Sequence, residues 1–146
     1  IYLANNVIRI DDSAKLKPEE GFGISGSIAT FSLVKSRSAK ANSATKMVFD
    51  QEVGFDPELS MYVFLKDSGY VNGSGVGYYL GDHTEYKFAQ KNFKKKLAED
   101  EGFRKVFQEV SFDALSKIIN QPRMLEELDT SATDGITNMM AMKHSE

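Results

Sequence analysis

Lys35 and Arg37 lie two residues apart at the end of an apolar, strand-like segment. Alternate residues of a strand project to the same side, so both cations could face one ligand near the end of a sheet. A lysine ammonium is a point charge and an arginine guanidinium is a planar fork of donors, and together they suit a polyphosphate. The alternative is that both side chains only solvate the end of the strand, and the two residues alone leave this open.

A second group of cations lies along two segments with helical periodicity. Three acidic residues, Glu99, Asp100 and Glu101, lie between the basic residues of this group. The basic residues of this group are Lys87, Lys91, Lys94, Lys95, Lys96, Arg104 and Lys105. Lysines on a helix surface can follow the phosphates of DNA. They can equally form the solvated faces of two amphipathic helices, and at this point both interpretations stand.

The other motifs are weaker indications of a functional site. Residues 21–26 have the letters Gly-x-Gly-x-x-Gly, but a dinucleotide fingerprint must follow a strand and open a helix. Here a charged loop precedes the segment and a strand pattern follows it, which predicts a flexible entry to that strand. The sequence contains no Gly-x4-Gly-Lys-Ser/Thr phosphate loop. Two histidines, His83 and His144, with no cysteine predict no metal site, and His83 is expected in a solvated turn.

The composition is that of a chain with one modest core. Of 146 residues, 41% are hydrophobic and 27% charged, and the net charge of −3 argues against coating nucleic acid by bulk charge. No apolar run approaches the ~18 residues of a membrane span. The lack of cysteine is compatible with a reducing cytoplasm. Because the chain opens Ile1-Tyr2-Leu3 without methionine, it is expected to be part of a longer protein.

Hydrophobic periodicity predicts an α+β chain. Strands are expected at 6–10, 27–34 and 45–49, the last two antiparallel, with the face of Ala29, Phe31 and Leu33 covered. Asp56 and Pro57 predict a helix start, and Gly69 predicts its stop. Beyond it the pattern predicts a hairpin pairing 76–80 with 84–88, then helices over 89–98 and 102–110. Ser111 is expected to cap a further helix with Phe112 facing inward.

The order of these features resembles the RecA-type recombinases, and within them the phage UvsX branch. The resemblance covers roughly residues 1 to 120 and consists of five features in order. They are Ile1-Tyr2-x-Ala4-x-x-Val7, the strand ending Lys35-x-Arg37, Gly54-Phe55-Asp56-Pro57 with the following helix, Gly69-Tyr70-Val71, and the group of Tyr78-Tyr79, Phe93, Leu97 and Phe103-Arg104. The acidic C-terminal tail is also similar.

The resemblance implies the C-terminal part of a DNA-recombination and repair protein that forms filaments on single-stranded DNA with ATP and Mg²⁺. It places the edge strands and helix of the ATPase core at 1–70, a helical C-terminal domain with a β-hairpin at 71–121, and an acidic mobile tail at 122–146. Lys35 and Arg37 would reach the γ-phosphate of the neighbouring subunit's ATP, and the seven basic residues would face duplex DNA. The protein would act in the cytoplasm, that of the host if phage-encoded.

The same resemblance implies that this chain alone is inactive and binds no ATP, because the phosphate loop, the catalytic glutamate and both DNA loops would lie upstream of Ile1. Two other functions stay open, a non-enzymatic DNA-binding module and a structural or interaction protein of a phage particle. The strand at 6–10 would leave an open sheet edge. It therefore predicts self-association as a symmetric dimer, or by exchange of the N-terminal segment.

Overall fold

The structure is a computed structural model that describes residues 4–37 and 43–119, apart from the side chains of Asp12 and Ser13. As the sequence predicts, the chain is of the mixed α+β type. In chain order the elements are β1 (Asn6–Leu16), β2 (Gly26–Ser36), β3 (Ser43–Asp50), β4 (Gly54–Asp56), α1 (Pro57–Asp67), β5 (Val71–Asn72), β6 (Tyr79–Leu80), a 3₁₀ turn (Gln90–Asn92), α2 (Phe93–Glu99) and α3 (Glu101–Ile119).

The main sheet is antiparallel throughout, with strand order β1-β2-β3-β4. The predicted antiparallel pairing of the second and third strands is confirmed. The predicted end of the first strand at Ile10 is wrong, because β1 continues to Leu16. Asp11 and Asp12 do not terminate it, since an edge strand is solvated along one side and accepts charged residues. A bulge between Asp12 and Ala14 absorbs the irregularity.

The helix α1 covers one face of this sheet. Ile28 of β2 pairs with Val48 of β3; Val48 belongs to the main core and Ile28 packs against it. Val48 is fully buried, and its N–H donates a 2.8 Å hydrogen bond to Ser60 Oγ of α1. Ile28 lies on the opposite face from Phe31 and Leu33, which stay half-buried. On the predicted covered face, Ala29 is the one buried residue of β2 and Phe31 and Leu33 are half-buried like Ile28, so burial does not separate the two faces and the prediction stays a prediction.

The predicted limits of α1 are confirmed by its caps. The Asp56 side chain accepts a 3.0 Å hydrogen bond from the Leu59 N–H, which satisfies a free donor of the first turn, and Pro57 follows in the first turn of the helix. Gly69 adopts the positive φ of 81° that ends the helix. The buried stripe of α1 consists of Leu59, Ser60, Tyr62, Val63 and Leu65.

A hairpin follows α1, but its strands are not the predicted ones. Val71 pairs with Leu80 and Asn72 with Tyr79, so β5 and β6 enclose the glycine-rich turn. Gly73 has a φ of 88°, and a Cβ there would collide with the carbonyl oxygen of Gly77. Glycine is therefore required in this turn. Only an isolated bridge between Tyr78 and Phe88 remains of the predicted pairing of 76–80 with 84–88.

The last two predicted helices form one continuous helix, α3. Ser111 is a buried residue inside α3 and caps nothing. The buried stripe of Phe103, Val106, Phe107 and Val110 continues at three- and four-residue spacing to Ala114. Phe112 falls off this stripe and is 74% exposed, so its predicted inward position is wrong. None of the helices within the described residues is long and apolar enough to span a membrane.

One core joins residues on both sides of position 70, where the sequence suggests a domain boundary. Tyr62 of α1 contacts Phe93 of α2 with ring centres 4.7 Å apart, and Phe93 contacts Phe103 and Phe107 of α3. Residues up to Ala114 form one compact unit, and a second unit begins at Leu115. The tail predicted at 122–146, including His144, lies outside the described residues.

The buried hydroxyl of Tyr62 predicts a pH dependence. Burial, with Tyr78 nearby, raises the pKa of Tyr62 to about 12 from 10.0. A raised folded-state pKa contributes stability that is complete below pH 10 and is lost as the pH rises through 12. Urea unfolding at pH 9 and 11.5 should therefore show the wild type losing up to about 2 kcal/mol more than Tyr62→Phe. Equal losses in the two proteins would contradict this.

Candidate phosphate- and DNA-binding residues

Lys35 and Arg37 lie together at one end of the main sheet. β2 ends at Ser36, so Arg37 stands directly beyond the strand and is exposed, whereas Lys35 is half-buried. Lys35 is paired with Val7, but Leu33 is paired with Ile8, so β2 has an extra residue, Val34, at this point. A bulge re-aims the side chains around it. Strand alternation therefore does not by itself fix the directions of the two cations, although their proximity along the chain remains.

Lys94 forms an ion pair inside the protein. Its Nζ lies 2.6 Å from Asp56 Oδ2 and 3.2 Å from Glu58 Oε2. Asp56 is only 3% exposed. Its carboxylate caps α1 through Oδ1 and binds Lys94 of α2 through Oδ2. Partial burial alone would lower the pKa of Lys94, but the hydrogen bonds to both carboxylates outweigh it and the pKa is raised. Lys94 therefore fixes α2 against the start of α1.

Two further cations of the predicted DNA-binding set hold the ends of local elements. Lys96 Nζ donates a 2.7 Å hydrogen bond to the carbonyl of Lys87, and lies 5.5 Å from the centre of the Phe103 ring. Arg104 donates to the Leu97 carbonyl at 3.0 Å and to the Ala98 carbonyl at 2.7 Å. The carbonyls of Leu97 and Ala98 belong to the last turn of α2, where a cation satisfies acceptors that have no partner within the helix. Both side chains therefore have structural partners.

The other four basic residues are more available to a ligand. Lys105 pairs with Glu101 at 3.3 Å, but both side chains are exposed and such a surface pair contributes little. Within the described part of the chain, Lys87, Lys91 and Lys95 make no side-chain hydrogen bond or ion pair, and all three are exposed. The Lys91 stem runs over Gly23, where an added Cβ would lie 3.0 Å from its Cγ.

The surroundings of this surface are mixed in charge. An open groove beside α2 is lined by Lys95 and Lys96 but also by the carboxylates of Glu99, Asp100 and Glu101. Of the four exposed basic residues, Lys95 alone lines this groove, so a phosphate contact there is weakened by the carboxylates. A phosphate would bind better at the exposed lysines that lie before α2 in the chain, Lys87 and Lys91.

The glycine-rich residues 21–26 connect β1 to β2 and open no helix, as the sequence predicts. His83 lies in a turn, where its Nδ1 is 3.2 Å from Glu85 Oε1. Across residues 4–37 and 43–119, no three metal-binding side chains group together. The candidate ligand-binding groups among the described residues are therefore Lys35, Arg37 and the exposed lysines.

No pattern in the sequence indicates the Asp56–Lys94 pair. Asp56 was recognisable as a helix cap because a cap is local, but its second partner is 38 residues away. No periodicity connects such positions. No protein-family model matches the chain, and no curated protein matches it.

Proposed function

We propose that this chain provides the C-terminal part of an ATP-dependent recombinase, which assembles on single-stranded DNA and exchanges strands with a homologous duplex. In this role Lys35 and Arg37 contact the γ-phosphate of ATP on a neighbouring subunit. The observation that supports the proposal most is the position of Arg37, exposed directly beyond the end of β2. A guanidinium in that position is available to a ligand on another subunit.

The proposed role needs only positive charge from this chain. An arginine supplied in trans stabilises the charge that develops on a transferring phosphoryl group, and a lysine adds a second point charge. The remaining parts of the ATP site, including those that hold Mg²⁺, would come from a partner with a phosphate loop, since the 146 residues contain none. Two cations close together along the chain would supply the positive charge for one side of a polyphosphate.

The proposed duplex-facing surface is smaller than the sequence predicts. It consists of Lys87, Lys91, Lys95 and Lys105, because Lys94, Lys96 and Arg104 have internal partners. At most four phosphates would be neutralised. The observed DNA affinity should then fall with salt with a log–log slope no steeper than about −3.6.

Neutralising three of these four exposed lysines should flatten this salt dependence. The variant Lys87→Gln/Lys91→Gln/Lys95→Gln removes up to three phosphate contacts, so the slope should fall by up to about 2.7 units. Fluorescence anisotropy of a short labelled duplex between roughly 50 and 200 mM salt measures it. A control, Lys15→Gln/Lys17→Gln/Lys46→Gln, removes the same charge from the sheet and its loop and should leave the slope unchanged. Equal slopes in both variants would mean that these lysines face solvent and contact no phosphate.

The two other candidate functions differ from the recombinase in whether ATP promotes assembly. A non-enzymatic DNA-binding module would show the same lysine-dependent slope, but no ATP-dependent assembly with the nucleotide-binding part of a recombinase. A structural protein of a phage particle would show neither. ATP-dependent co-assembly, followed by light scattering with and without Mg²⁺, therefore tests the proposal directly.

A further inference from the structure

β1 forms one edge of the main sheet. In the strand order β1-β2-β3-β4, its outer side has no partner strand among the described residues. An edge strand presents unpaired N–H and C=O groups along its length, which another chain can use for pairing. β1 spans Asn6–Leu16, so this edge is longer than most strands.

The same edge is apolar on one face. Ile8 and Ile10 are 59% and 61% exposed, and they pair in register with Leu33 and Phe31. Cross-strand partners share a face, and this one continues across the sheet to the rings of Phe49 and Phe55. We name the open face as the surface of Ile8, Ile10, Phe31, Leu33, Phe49 and Phe55. Ile8, Ile10 and Phe55 on this face are exposed, whereas Phe31, Leu33 and Phe49 are half-buried. An apolar surface of this kind beside a sheet edge suits an interaction site.

Two irregularities limit which part of β1 can pair with another strand. Register shifts lie between Val7 and Ile8 and between Asp12 and Ala14. The extra residue lies in β2 at the first shift and in β1 at the second. A bulge increases the local twist, so the most regular stretch of β1 runs over 8–12. Its central residue is Ile10. An antiparallel pair related by a two-fold axis perpendicular to the sheet at Ile10 would use this whole stretch and keep the open faces of both copies on one side.

The charges of β1 select the same register. With Ile10 opposite itself, Arg9 lies opposite Asp11 of the partner subunit, and the symmetry repeats the contact. An axis at Arg9 would place Arg9 opposite Arg9 of the partner subunit. An axis at Asp11 would place Asp11 opposite Asp11 of the partner subunit. Like charges in directly opposite positions are destabilising. Among the described residues Arg9 and Asp11 pair with each other at 2.8 Å, with both side chains exposed, so they can exchange partners.

From this edge, its apolar face and its charge pattern, we propose that two copies of this chain associate through antiparallel pairing of β1 about a two-fold axis at Ile10. The two four-stranded sheets become one continuous sheet, and the isoleucines of both copies meet on one surface. The inference does not rest on the proposed recombinase function, because it uses only the edge strand and its neighbours.

Charge exchange tests both the dimer and its register. Arg9→Asp alone and Asp11→Arg alone each place like charges opposite one another at two symmetric positions. Either should raise the dimer dissociation constant by about tenfold, which corresponds to 1.4 kcal/mol. The double variant Arg9→Asp/Asp11→Arg restores the pairing and should return the constant to within about threefold of the wild type. Analytical ultracentrifugation of the full chain across micromolar concentrations measures all four proteins.

A matched control uses the exposed pair of α3. Lys105→Glu and Glu101→Lys each reverse one charge of a surface ion pair and should leave the dimer unchanged. A wild type that stays monomeric to about 100 μM overturns the proposal, since that concentration corresponds to only about 5–6 kcal/mol of association. So does a dimer that ignores Arg9→Asp. If such a dimer dissociates on Phe55→Ser, the two copies stack through the open face instead.

Discussion

Replacing Arg37 by alanine is expected to lower DNA-stimulated ATP turnover by about 10³-fold or more, when the chain is joined to the nucleotide-binding part of a recombinase. The loss follows from the proposed role in trans, because the guanidinium would stabilise charge that develops only during phosphoryl transfer. Nucleotide binding by separate subunits should change little. The two quantities are measured by steady-state ATP hydrolysis and by equilibrium titration with nucleotide.

Unfolding would not explain such a loss. Arg37 is exposed and lies outside β2, and substitutions at such positions usually change stability by less than about 0.5 kcal/mol. Arg37→Lys keeps the charge but not the planar fork of donors, so it should recover only part of the activity. Lys15→Ala, an exposed cation of β1, is the control and should have no effect. Turnover of Arg37→Ala within a few-fold of the wild type would remove Lys35 and Arg37 from the site.

The parts of the fold that the sequence predicted are those fixed by short-range signals. Asp56, Pro57 and Gly69 limit α1 through hydrogen bonds and backbone angles within a few residues. The stripe beginning at Phe103 was predictable because helical periodicity repeats along the chain.

The hairpin could not be predicted in the same way, because two glycine turns compete for the segment of Tyr79 and Leu80. The turn at Gly81 would pair it with 84–88, and the turn at Gly73 pairs it with β5. Phe88 decides the outcome, since it is 3% exposed and packs its ring against Tyr62, Phe93 and Phe103. Tertiary packing thus overrides a local turn signal.

The candidate site shows the same limit. The sequence identified seven cations by residue type and spacing, but it could not separate those with internal partners from those facing solvent. Lys94 binds a carboxylate 38 positions away, and Arg104 binds the end of a helix whose limits were not yet known. Only the three-dimensional arrangement restricts the set to Lys87, Lys91, Lys95 and Lys105.

Replacing Phe93 by alanine is expected to lower the free energy of unfolding by about 3–5 kcal/mol, the range for removing a buried phenylalanine ring. Phe93 is fully buried, and its ring centre lies 4.7 Å from that of Tyr62 and 5.3 Å from that of Phe107. Alanine would leave a cavity between rings of α1 and α3 that these helices can close only in part. Urea unfolding followed by circular dichroism measures the loss. Phe112→Ala, at a 74% exposed position of α3, is the matched control.

The same variant tests whether the boundary expected near residue 70 separates two folding units. Because Phe93 links α1 on one side of that boundary to α3 on the other, its loss should destabilise both helices together. Hydrogen exchange should then show amides of 57–67 and 101–114 losing protection by similar amounts in Phe93→Ala. Loss of protection in α3 while α1 keeps its own would instead mean two separate units, and the shared aromatic core would then be only a contact between them.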